Sequence, residues 1–304
     1  MINGYFHSSY TVSNLDRSLK FYGETLGIEN VRAQVSDQAY LPLVTGVKGC
    51  SLKIGFFQVE GDPTLLELVE YVAAKGPAAG TGFGVVGSPH LCWSVDNLDL
   101  YLKKLQQKGV QPLGQPRLLR DGLFGEAIGT FVLDPDGLIV ELIELPGKKG
   151  QVGRLTALHH TGYTVSDIDQ TIKMMSEKLA FKLLACDSYK SEYLKELGGL
   201  KNNQVKMATM QMPGSDHIME LWQFEKPVGV PMVTKKNYVG SAHMCFKVGD
   251  IMSVYDDFSK SGLKFVGPPV GITAGRNKGG FAIYFDGPDD IPFELFQDPP
   301  ANVS

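Results

Sequence analysis

The stretch His7-Ser8-Ser9-Tyr10-Thr11-Val12-Ser13-Asn14-Leu15-Asp16 returns 153 residues later as His160-Thr161-Gly162-Tyr163-Thr164-Val165-Ser166-Asp167-Ile168-Asp169. The offset holds far beyond the stretch. It carries Glu67 onto Glu220, His90 onto His243 and Glu141 onto Glu294, so both halves step through 60, 23 and 51 residues between the same residue types. Three equal intervals describe an internal duplication with no net gap between His7 and Glu294. What is duplicated is a His-Glu-His-Glu set, the residue types that bind metals.

Around each of these residues the pattern is local and readable. Residues 5–12 alternate as a strand that puts His7, Ser9 and Thr11 on one face. Ser13 or Asn14 can cap a helix whose Leu15, Leu19, Tyr22 and Leu26 form an apolar stripe ending at Gly27. Residues 51–59 and 64–71 read as strands parted by Gly61-Asp62-Pro63, with Glu67 on the second beside Leu65 and Val69. After a Gly/Ala/Pro-rich loop over 72–87, His90 to Asp99 restarts the pattern at an offset of 83. A helix with Leu98, Leu102 and Leu105 inward follows. Asp134-Pro135-Asp136-Gly137 then reads as a hairpin turn feeding the strand of Glu141. The second half repeats both units, with Ile168, Ile172, Met175 and Leu179 on one helix and Ile251, Tyr255 and Phe258 on the other. The reading divides the chain into domains 1–147 and 155–304, joined by a polar linker over 148–154.

Bulk properties narrow the function classes. A chain of 304 residues suits about two domains of ~150 residues, each able to bury a core. A net charge of -4, spread out, offers no basic footprint for nucleic acid and no polybasic membrane arm. No apolar run approaches the ~20 residues of a transmembrane helix, and the N-terminus does not read as a signal peptide. The four cysteines, Cys50, Cys92, Cys186 and Cys245, form no Cys-x-x-Cys pair, which favours a reducing, cytoplasmic setting. Cys92 and Cys245 read as small apolar filler.

The His7 and His90 strand openings, the Asn-Leu-Asp helix starts, the Asp134–Gly137 turn and the Glu four residues after it resemble the vicinal oxygen chelate superfamily. That group holds glyoxalase I, methylmalonyl-CoA epimerase, extradiol dioxygenases and bleomycin- or fosfomycin-resistance proteins. The resemblance covers residues 4–298. It implies an α+β fold of four βαβββ modules paired into two open mixed β-barrels. The metal ligands it implies are His7, Glu67, His90, Glu141, His160, Glu220, His243 and Glu294. Adjacent modules pair in some relatives, which joins His7 and Glu67 to His90 and Glu141. In others pairing runs across halves or subunits, which joins them to His243 and Glu294. The duplicated tetrads are chemically alike, so both pairings stay open, and a homodimer is one assembly the resemblance allows.

Two imidazoles and two carboxylates suit a borderline divalent ion, Zn, Ni, Co, Fe or Mn, with two expected per chain. Such an ion acts as a Lewis acid on an enediolate or enolate of a small vicinal-dioxygen substrate. By position in the family, Glu141 and Glu294 are the candidate catalytic bases, with Glu67 and Glu220 across from them. The expected activity is a metal-dependent isomerase or lyase of the glyoxalase/epimerase type; an Fe(II) extradiol dioxygenase and a non-catalytic drug binder are the alternatives. The positions where glyoxalase I carries its glutathione-binding arginines hold Thr11, Thr164, Val86 and Val239. A dioxygenase needs only two His and one Glu, which leaves Glu67 and Glu220 surplus. Secondary candidates carry ordinary readings. Glu70 should be solvated, His159 and His217 structural or on the surface, and Tyr40 and Tyr193 buried aromatics. Arg276-Asn277-Lys278-Gly279-Gly280 is either a solvated loop or a grip for an anionic substrate.

Overall fold

The computed structural model describes residues 1–119, 125–147, 149–189 and 204–301. Each module opens with a strand and crosses through a helix to strands that return beside it. The first module has β1 (Ile2–Thr11), α1 (Leu15–Leu19), β2 (Glu29–Ser36), α2 (Leu41–Thr45), β3 (Ser51–Gln58) and β4 (Leu65–Ala73). The second has β5 (Pro89–Val95), α3 (Leu98–Gln107), β6 (Arg117–Leu119), β7 (Ala127–Leu133) and β8 (Ile139–Glu144). The third has β9 (Leu155–Thr164), α4 (Ile168–Leu179), β10 (Lys182–Tyr189), β11 (Val205–Gln211) and β12 (Ile218–Phe224). The fourth has β13 (Ala242–Val248), α5 (Ile251–Lys260), β14 (Lys264–Phe265), β15 (Val270–Gly271), β16 (Phe281–Asp286) and β17 (Pro292–Gln297).

The modules pair across the halves. One sheet runs β14-β16-β17-β13-β1-β4-β3-β2, with β15 on β16; the other runs β10-β11-β12-β9-β5-β8-β7-β6. The first sheet thus joins modules one and four, and the second joins modules two and three. Both seams are antiparallel, β1 on β13 and β5 on β9. Within every module the first and last strands run parallel, which the intervening helix permits. The division at 148–154 therefore separates the repeats but not the sheets.

Strand alternation gives each sheet two jobs. Tyr10, Leu66, Leu91, Trp93, Tyr163 and Phe246 point to the main core, where residues of both sheets and the helices pack together. The alternate residues, including the histidines and glutamates, face into the curl of their own sheet.

Each helix is tied to its module's last strand by one recurrent hydrogen bond. Glu70 accepts from Leu15 N at 2.8 Å, Glu144 from Leu98 N at 2.8 Å, Gln223 from Ile168 N at 2.9 Å, and Gln297 from Ile251 N at 2.8 Å. Each acceptor lies three residues beyond a last-strand glutamate. It satisfies a backbone donor that the first helical turn leaves free. Asn14, Asn97, Asp167 and Asp250 cap the same helices from the other side. Glu70 is accordingly buried, not solvated as its alternation suggested, and also pairs with Lys75 at 3.1 Å. The first helix continues past α1 as a π-helical turn over Lys20–Thr25 and closes at Gly27, whose φ is 79°.

Candidate metal centres

The first tetrad is His7, Glu67, His243 and Glu294. His7 Nε2 lies 3.4 Å from Glu67 Oε2, 3.5 Å from Glu294 Oε2 and 3.4 Å from His243 Nε2. His243 Nε2 stands 3.7 Å from Glu67 and 3.4 Å from Glu294. The second tetrad is His90, Glu141, His160 and Glu220. His160 Nε2 is 3.2 Å from Glu141 Oε2 and 3.5 Å from Glu220 Oε2, while His90 Nε2 is 3.4 Å from Glu220 and 3.3 Å from His160 Nε2. All eight residues predicted from the duplication converge, four to a centre, and every one is less than a tenth exposed, save Glu294, which is slightly more open. The seams explain the convergence: His243 pairs with Ser9, two residues along from His7, and His160 pairs with Cys92, two along from His90. Gly162 is needed there, because a Cβ on it would run into the His90 ring.

The donor sets fit an ion. Ligand atoms about 2.1 Å from one centre stand ~3.0–3.4 Å apart, close to the separations in the second tetrad and among His7, His243 and Glu294 of the first, with Glu67 set slightly farther out. Two ring nitrogens turned toward each other amid carboxylates, and a buried Glu141 Oε2 with no hydrogen-bond partner, are poor arrangements for the protein alone.

The two centres differ electrically. Burial drives His90 and His160 down to about 4 against the opposing pull of the glutamates. It also lifts Glu220 to about 7 and raises Glu141. In the first, burial is outweighed: Glu67 and Glu294 raise His7, and hydrogen bonds from His243 and His7 hold Glu294 at about 2.

Several neighbours escaped the sequence reading. Cys92 and Cys245 are buried as expected, and each sits beside Glu141 or Glu294 on the adjacent strand. Trp222 Nε1 donates to Glu220 Oε2 at 2.6 Å, and its ring stacks on His90 at 4.0 Å. Tyr284 OH lies 2.9 Å from His243 Nε2. A stricter use of the 153-residue offset could have flagged the last two, since Trp222 answers Val69 and Tyr284 answers Phe131.

The first tetrad forms the floor of a cavity lined by Phe6, Arg32, Tyr40, Phe56, Lys236 and Asn277 among others. Asn277 and, at the mouth, Arg276 come from the glycine-flanked run noted in the sequence. Tyr40 lines the cavity, while Tyr193 lies outside the described residues. His159 is half-buried with Nδ1 3.0 Å from His160 Nδ1. His217 is buried, stacked on Tyr5 at 4.4 Å, with its Nε2 3.4 Å from Thr161 Oγ1. All four cysteines are free, and among the described residues no helix is long and apolar enough to cross a membrane.

Comparison with known proteins agrees with this architecture. A lactoylglutathione lyase of Schizosaccharomyces pombe is 25% identical over 285 residues, covering 85% of this chain and 86% of that protein. One from Arabidopsis thaliana is 26% identical over 181 residues, but the match takes in only 59% of this chain and 56% of that protein. The crystal structure of glyoxalase I from Zea mays has the same fold, with a TM-score of 0.64 at 20% identity over 97% of this chain and 92% of that one. The family model of the Glyoxalase/Bleomycin resistance protein/Dioxygenase superfamily matches residues 4–142 and again 157–295. With both repeats matched and each pair of modules curled around a His/Glu tetrad, this chain belongs to that superfamily.

Proposed function

We propose that the protein is a metal-dependent isomerase or lyase of the glyoxalase/epimerase type, acting on a small substrate with two vicinal oxygens. The observation that carries this reading is the convergence of two His2Glu2 sets, each gathered around its own centre, with all four donors of the second and His7, His243 and Glu294 of the first close together. A bound divalent ion supplies Lewis-acid stabilisation of the negative charge that develops on the substrate oxygens. His7, Glu67, His243 and Glu294 hold one ion, and His90, Glu141, His160 and Glu220 the other.

The chain's own residues do the rest. Glu294 on β17 and Glu141 on β8 accept the α-proton at a carboxylate oxygen, and Glu67 and Glu220 face them across each centre. At the second centre Trp222 fixes Glu220, whereas Glu141 keeps an oxygen without a hydrogen-bond partner, which suits it to take a proton. Burial of each tetrad excludes bulk water, which strengthens these interactions. The four glutathione-type arginine positions hold Thr11, Thr164, Val86 and Val239, so the substrate is not assigned as a glutathione adduct. Free thiols suit a reducing compartment, and we place the protein in the cytoplasm. Both tetrads are complete within one chain, so a homodimer is not required to build them.

Elemental analysis should find close to two divalent ions per chain. With 2-oxo and 2-hydroxy compounds, deuterium from solvent should appear at the α-carbon without oxygen uptake. The Glu141→Gln/Glu294→Gln double variant should abolish this exchange, and either single variant should leave about half. Normal exchange in the double variant means the base lies elsewhere, and oxygen consumption with catechols under ferrous iron means the chemistry is ring cleavage.

A further inference from the structure

The 153-residue offset allows the surroundings of the two centres to be compared position by position. On the first side Arg32 pairs with Phe56 across β2 and β3, its guanidinium carbon 4.2 Å from the ring centre. The matching pair on the second side is Ala185 and Thr209, in the same register. Lys236 reaches the first cavity with its side chain only 11% exposed, its Nζ 5.2 Å from the Tyr284 ring and 3.9 Å from Asp286. Its counterpart is Phe83, which stacks on Trp222 and meets Phe131 edge-on at 5.0 Å. One centre is therefore flanked by two cations and a phenol, the other by an aromatic cluster.

The cations are not consumed by the protein. Arg32 makes no ion pair among the described residues, and its Nε is buried without a hydrogen-bond partner. Lys236 has one distant, half-exposed partner in Asp286. A divalent ion balances the charge of Glu67 and Glu294, so Arg32 and Lys236 leave the loaded cavity positive, with Arg276 at its mouth adding to the field. Arg32 is half-buried and the Lys236 side chain nearly fully so, and a ligand that brings a counter-charge stabilises both.

We propose that the cavity of the first centre selects substrates bearing an oxyanion, a carboxylate or a phosphate, beside the chelating oxygen pair, and that Arg32 and Lys236 bind it. This deepens the functional reading above and rests on it. The second centre carries Ala185 and Phe83 at those two positions.

Glycolohydroxamate and its phosphate ester share one two-oxygen chelating head and differ only in the anionic group. Calorimetric titration of the zinc-loaded protein should show the ester binding roughly tenfold or more tightly than the uncharged probe, at one site per chain. Arg32→Ala and Lys236→Met should each cut that preference several-fold, and together bring it to within about threefold, while zinc content and affinity for glycolohydroxamate stay as in the wild type. Arg32→Lys should restore most of it. Equal affinity for both probes in the wild type, or an undiminished preference in the double variant, overturns this proposal and leaves the metal reading standing. A protein that takes up no zinc and binds neither probe overturns both.

Discussion

At the residue scale, single side chains decide what each centre needs in order to take an ion. Trp222 holds Glu220 through one short hydrogen bond and covers His90 with its ring. Trp222→Phe keeps the ring and deletes the donor. Its zinc affinity, read by chelator competition, should fall about tenfold at one of the two sites. His217 gives a separate test. Burial holds its pKa at about 3, against an ordinary 6.5. The unfolded chain therefore binds a proton that the folded chain refuses between those values. Stability falls as pH drops from 6.5 toward 3, and this contribution is unchanged above 6.5. His217→Phe keeps the stack on Tyr5 and removes the titration. It should cost about 1 kcal/mol at pH 7 through the lost contact with Thr161, yet flatten the stability–pH slope below pH 6 by one proton, about 1.4 kcal/mol per pH unit. Urea unfolding at several pH values measures both effects. The eight tetrad residues were legible in sequence because a fixed offset ties like residues together. Trp222, Arg32 and Lys236 were not, because they are positions where the two copies disagree.

At the level of elements, the four strand-to-helix ties make the modules mechanical equivalents with exchangeable parts. Two modules use Glu for the tie and two use Gln, so the backbone donor needs an oxygen and not a charge. Glu70→Gln should therefore stay within about 0.5 kcal/mol of the wild type even with Lys75 released, since a half-exposed ion pair contributes little. Gln297→Ala should cost about 1–2 kcal/mol by stranding the Ile251 donor. Both are read as shifts in the urea midpoint. Helices, hairpins and the strands bearing Glu67 and Glu141 follow the apolar period closely. β2 did not announce itself: six of its eight residues are exposed, and an edge strand without a buried face has no alternation to detect. Glu70 misled for a related reason, since the face opposite a tetrad on β4 meets a helix rather than water.

For the whole molecule, the pairing of modules is what sequence leaves undetermined, because identical tetrads result either way. The seams β1–β13 and β5–β9 settle it. Each centre takes two ligands from each half. Residues 1–147 expressed alone should hold no stoichiometric ion as a monomer, whereas mixing them with residues 155–304 should rebuild two sites per pair. Size-exclusion chromatography with metal analysis tests this, and a monomeric half that binds an ion at full affinity would contradict it. The seams have a further result for how such an enzyme can diversify. In a dimer of identical subunits every substitution lands in both active sites at once. Joining the subunits into one polypeptide breaks that tie: a lysine can stand where the other copy has phenylalanine, and one molecule can offer two different appetites.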